Sequence, residues 1–147
     1  MMLEPVATAR AARLASKEAL LRAAQLLALM ETEADCTAWA EYNSSFHNVI
    51  AEAGNSPRLV AILKNLRELS ALYVTHSIVG VSGRAQHANA EHAQILQAVI
   101  AHDAEAAADA ALRHLDVTLL SLNIRTIGAD DHDAAPRGNG HRTGRSR

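Results

Sequence analysis

The sequence predicts an all-α fold, an antiparallel bundle of about six helices. Three observations lead there. Apolar residues recur at helical spacing, most plainly at Leu59, Ile62, Leu63, Leu66, Leu69 and Leu72. Hydrophobic residues make up 49% of the chain and aromatic ones only 3%, so the interior must be built from Leu, Ala, Ile and Val. Such a core suits close-packed helices better than a sandwich or barrel. Finally, capping and stop residues divide the chain into segments joined by short breaks.

The elements follow in order. A first helix is expected over about residues 5 to 14, with Pro5 tolerated in its opening turn. Its start, "MMLEPVATARAARLAS", is amphipathic and carries arginine, and reads as a core helix rather than a transit peptide. Ser16 can cap "KEALLRAAQLLALMET", in which Leu20 and Leu27 belong to a broad apolar stripe. Asp35 or Thr37 opens the third helix, which stops at Gly54. In "NSPRL", Ser56 is placed as a cap and Pro57 at the first helical position. The stretch "HSIVGVSGRAQ" holds two glycines and a β-branched patch, and reads as an irregular link with Ile78–Val81 as the one strand-like fragment. A fifth helix is expected from about Ala88 to Ala101, and Asp103 caps a long last one.

The length fits one domain, residues 1–127, followed by a tail over 128–147 that lacks apolar periodicity and is expected to be disordered. With 14 basic and 16 acidic side chains the net charge is -2, so there is no general attraction to nucleic acid or anionic membrane. The tail arginines 137, 142, 145 and 147 read as solubilising. Cys36 is the only cysteine, which excludes an internal disulfide and a cysteine-built zinc site and fits a reducing cytoplasm. No apolar run is long enough to span a bilayer.

Eight histidines are a high load for this length. Asn43 and His47 lie four apart and share one helix face. His92 falls in the first half of the fifth helix and His114 near the middle of the last. Drawn from three helices, three imidazoles and an amide oxygen could enclose one divalent ion. Such neutral ligands would leave the ion its full charge, able to draw a carboxylate inward. The other reading is of half-buried histidines hydrogen-bonded to backbone or carboxylate, and spacing alone leaves both open. Nucleophilic catalysis has little support: Ser44 and Ser45 lack a base-and-orienter arrangement, and no phosphate loop is present.

The stretches "LEPVATARAARLA", "NSSFHNVIAEAGNSPRL" and "EHAQILQAVIAHDAEAAADAALRHL" together resemble the ligand-binding C-terminal FCD domain of GntR-type bacterial transcription regulators, in the fatty-acid-regulator subfamily. That resemblance implies an antiparallel helical bundle and, in many members, a divalent metal held by an oxygen ligand and three histidines. Carried onto this chain, the ligands are Asn43, His47, His92 after Glu91, and His114 before Leu115. Zinc is the first expectation, with nickel, iron, manganese or cobalt as alternatives. The resemblance further implies a small organic acid bound at the ion; Arg67 and Arg113 are candidate carboxylate clamps, and apolar helix faces are expected to pair two copies into a homodimer. Arg113 adjoins His114 in a helix, where neighbours point about 100 degrees apart, so both need not face one pocket.

Two departures matter. The family's winged helix-turn-helix does not precede this stretch, so the chain as given is not expected to bind DNA directly. It is expected to act as a sensor through a dimer mate or partner; the alternative is a small metalloenzyme acting on a carboxylated substrate. Asn43 also stands where the family more often has Asp. The site would then carry one negative charge fewer, with weaker metal retention and stronger attraction for anions.

Overall fold

A computed structural model describes residues 3–80 and 83–130. Six helices account for nearly all of them: α1 (Leu3–Leu14), α2 (Lys17–Thr32), α3 (Cys36–Ala53), α4 (Pro57–Gly80), α5 (Arg84–Ile100) and α6 (Ala104–Asp130). Among the described residues there is no strand. None of these helices is long and apolar enough to cross a membrane.

Local chemistry sets most of the boundaries. The Ser16 hydroxyl accepts from the Ala19 amide at 3.1 Å, and the Asp103 carboxylate from Ala106 at 2.9 Å. Asp35, not Thr37, caps α3, accepting from Ala38 at 2.8 Å. Pro57 opens α4, where its missing N–H costs nothing. Gly54 ends α3 with ordinary right-handed backbone; the left-handed turn falls on Asn55, at φ 50. Glycine is required there by proximity, because a Cβ would stand 3.0 Å from the Ala7 carbonyl oxygen and 3.1 Å from Arg10 Cβ.

The link between α4 and α5 is much shorter than the sequence predicts. Ile78 lies in the last turn of α4, so the strand-like fragment is helical as far as Gly80; Val81 lies outside the described residues. Ile78 is buried in the main core, and that packing outweighs the preference of a β-branched residue for a strand. α5 likewise begins four residues early, at Arg84, behind Gly83 in the left-handed region at φ 77. At the other end α6 continues to Asp130, and residues 131–147 lie outside the described residues.

α1 packs mainly against α6 and also touches α3, while α5 fills the space between α1, α2 and α6. The α1–α6 seam is made of alanines: Ala11 and Ala12 on one side, Ala107, Ala110 and Ala111 on the other, all buried in one cluster. Small side chains let the helix axes approach closely, which explains how a chain so poor in aromatics closes a core. Larger groups, Met30, Phe46, Ile95 and Val99, fill the middle. α4 rests chiefly on α3 and stands off from α5 and α6, and the site lies in that gap.

Candidate metal centre

Three helices each deliver one histidine to a common point. His47 comes from α3, His92 from α5 and His114 from α6. His92 has no exposed surface and His114 is buried, while His47 keeps a part-exposed edge. Ring centroids lie 5.0 Å apart for His47 and His92, 5.2 Å for His47 and His114, and 4.6 Å for His92 and His114. One ligand nitrogen from each ring falls within 4.8 Å of the other two. Aromatic rings wall the cluster: the Phe46 ring centre lies 5.0 Å from that of His92, and Trp39 stacks on His92 at 6.2 Å.

Electrostatics keep two of these rings, His47 and His92, in the ligating form. Burial pushes His47 well below the ordinary histidine pKa, with His114 and Arg67 adding repulsion. Burial does the same to His92, helped by His47, His114 and Arg84. Both are therefore neutral near pH 7. His114 is oriented differently: its Nδ1 donates to Glu91 Oε2 at 2.6 Å, which leaves Nε2 as the free nitrogen. Burial alone would raise the Glu91 carboxyl, but the hydrogen bond and charge of His114, with Arg84, hold it below the usual glutamate value. Arg84 reaches both Glu91 oxygens at 3.3 Å and also donates to Thr118 Oγ1 at 3.1 Å.

The donor set suits a divalent cation. His47 Nε2 and His92 Nε2 face each other at 3.2 Å. Two nitrogens that each sit about 2.0–2.1 Å from one ion are about 3 Å apart, so the pair already has the spacing of neighbouring ligands. The third imidazole is braced by a carboxylate, the usual support for a metal-bound histidine. His92 Nδ1 is buried without a partner among the described residues, and coordination through Nε2 would not supply one. The cluster as a whole could coordinate one divalent metal ion.

Beside it opens a cavity of about 170 Å³, bounded by α3, α4, α5 and α6. His47, His114 and Asn43 all line it, which places Asn43 on the same wall as the cluster. Arg67 lines it too, with its guanidinium engaged by Glu4 at 2.8 Å and by Asn48 at 2.6 Å. Arg113 is exposed and takes no part in the wall. His87 is exposed and bonds the Gly83 carbonyl at 2.8 Å, while His102 bonds a carbonyl in the last turn of α1, that of Ala12, at 2.8 Å. The side chain of His76, together with His132, His141 and the tail arginines, lies outside the described residues.

Sequence reasoning overlooked Arg84, Glu4 and Thr118. Arg84 and Glu91 are seven residues apart, two turns along one helix face, but the first of them fell inside the stretch read as a link.

The sequence pattern of the FCD domain matches residues 1–117. The chain belongs to the FCD-domain family. In this FCD domain the matched span holds Asn43, His47, Glu91, His92 and His114, and stops just short of Thr118 and Leu119 on the cavity wall. No curated protein matches the chain.

Proposed function

We propose that this FCD domain senses a small organic acid at a divalent metal ion, zinc in the first instance, held by Asn43, His47, His92 and His114. The observation that carries this reading is the convergence of three imidazoles, two of them 3.2 Å apart, on the wall of a cavity of about 170 Å³. Bound there, the ion supplies a positive charge that polarises and anchors a carboxylate. His92, fully enclosed, would hold the ion from the core side, and His47 and His114, which line the cavity, would hold it where an acid can reach it. Glu91 holds the His114 ring and its tautomer. Arg67 keeps a place in the wall as a supporting residue, and the exposed Arg113 has none in this reading.

The response would be regulatory in the manner of GntR-type proteins, passing through a dimer mate or partner that binds DNA in the cytoplasm. A homodimer through α4 is supported by Ile62, Leu69 and Tyr73, which are 49%, 75% and 62% exposed and lie on one stripe of that helix. Sensing is favoured over turnover by the state of the wall. Its one carboxylate among the described residues, Glu4, is committed to Arg67, which leaves no free general base beside the ion.

Elemental analysis of protein purified without chelator or affinity tag tests the reading, beside the His92→Ala form. Close to one ion per chain, lost in the variant, is the expected result. Metal in neither form would remove the mechanism.

A further inference from the structure

The cavity has a polar end and an apolar body, and this division selects the kind of acid it takes. Its polar side chains away from the cluster are nearly all turned to partners in the protein. Ser70 donates to the Leu66 carbonyl at 2.8 Å, and Thr118 to the His114 carbonyl at 2.9 Å. Both guanidiniums in the wall are paired with carboxylates, Arg67 with Glu4 and Arg84 with Glu91, while the buried Arg84 Nε–H has no partner among the described residues. Asn43 and Ser44, by contrast, have no hydrogen bond to the described residues, and both sit on α3 within one turn of His47. Most of the rest of the lining is hydrocarbon, Trp39, Val74, Ile78, Leu115 and Leu119 among it, with Tyr73 adding a phenol.

We infer that the ligand is a monocarboxylate with a compact apolar body, aromatic or cyclic, its carboxylate at the ion and its body against Trp39 and Ile78. This rests on the metal-dependent sensing proposed above and names its ligand class. Size agrees, since an apolar cavity of about 150 Å³ accepts benzene and this one measures about 170 Å³. Charge agrees too. A second carboxylate would be pressed against hydrocarbon with no uncommitted cation among the described wall residues to meet it, and burying an unpaired charge is costly. A polyhydroxylated acid would likewise lose water from hydroxyls that, among the described wall residues, only Asn43, Ser44 and Tyr73 stand free to replace.

Trp39 is the only tryptophan and lines the cavity, so its fluorescence reports occupancy directly. The full chain, loaded with zinc, would be titrated with benzoate, cyclohexanecarboxylate, acetate, lactate and succinate, with calorimetry in parallel. Benzoate and cyclohexanecarboxylate should bind tighter than acetate, lactate and succinate by on the order of tenfold or more. The Val74→Thr variant, which adds a hydroxyl at constant shape, should weaken benzoate several-fold and leave acetate and zinc content unchanged. Succinate or lactate binding as tightly as benzoate, with zinc still required, would overturn this inference and leave metal-dependent sensing intact. Zinc bound at one per chain with no acid binding would overturn both.

Discussion

α1 and α4 both lean on α3, yet one closes the bundle and the other leaves it open. The α1–α6 seam is alanine against alanine, Ala11 and Ala12 facing Ala107, Ala110 and Ala111, each at 5% exposure or less. Along α4, only Leu63 and Ile78 are buried among the described side chains, while Ile62 and Leu69 are exposed and Tyr73, also exposed, borders the cavity. Backbones that meet through methyl groups leave no room for a ligand; a helix held off by widely spaced large residues leaves a gap beside its neighbours. The same fold thus separates a sealed half, which carries stability, from a ventilated half, which carries the site.

Enlarging one alanine in each half should break the comparison most clearly if it is wrong. Ala11→Leu overpacks the seam and should cost about 1–3 kcal/mol in urea unfolding. Ala71→Leu projects into the cavity wall and should change stability by no more than about 0.5 kcal/mol, while obstructing acid binding. Equal losses in the two variants would show that the halves are not distinct.

Next in size is Glu91→Gln. It keeps the shape of the His114 brace but removes its charge, and should weaken zinc binding by about 10–100-fold and lower the melting temperature as well, because the buried Arg84 loses its carboxylate partner. Competition against a fluorescent chelator measures it; unchanged affinity would reduce Glu91 to the ion-pair partner of Arg84.

A smaller effect concerns acidity in the chelator-treated chain. Folding holds His47 and His92 below the ordinary histidine value of about 6.5, so the unfolded chain binds more protons in the interval beneath it. Their contribution to stability is therefore complete above about pH 6.5 and declines as pH falls toward the lowered folded-state values. Denaturant midpoints at pH 7 and pH 5 should show that fall, and the His47→Gln form should show less of it. The mildest change is Asn43→Asp, expected to slow metal release and weaken acid binding by a few-fold each. Stopped-flow chelation checks the first, and an unaltered off-rate would place residue 43 outside the metal's ligands.

What could be read from the sequence was what depends on neighbours along the chain. Ser16, Asp35, Pro57 and Asp103 act within one helical turn, and each stands where local chemistry requires it. The i, i+4 relation of Asn43 and His47 is of the same kind. The Glu91–His114 bond spans 23 residues and the Glu4–Arg67 pair 63, and no periodicity fixes the helix rotations that bring them together. Arg84 escaped for a different reason. Glycines and β-branched residues on either side made a helix end look like a loop, and burial of Ile78, a property of the assembled core, reversed that local preference.

The last turns of α1 have one further consequence. Arg10 holds the α3–α4 corner through the Gly54 carbonyl at 2.9 Å, and His102, at the α5–α6 corner, holds the Ala12 carbonyl at 2.8 Å. Both corners contain a residue in left-handed backbone, Asn55 at φ 50 and His102 at φ 57. Two otherwise separate hairpin bends are thus fastened to one peg. In hydrogen exchange they should open as a single cooperative unit, with α1 detaching as the event that frees both.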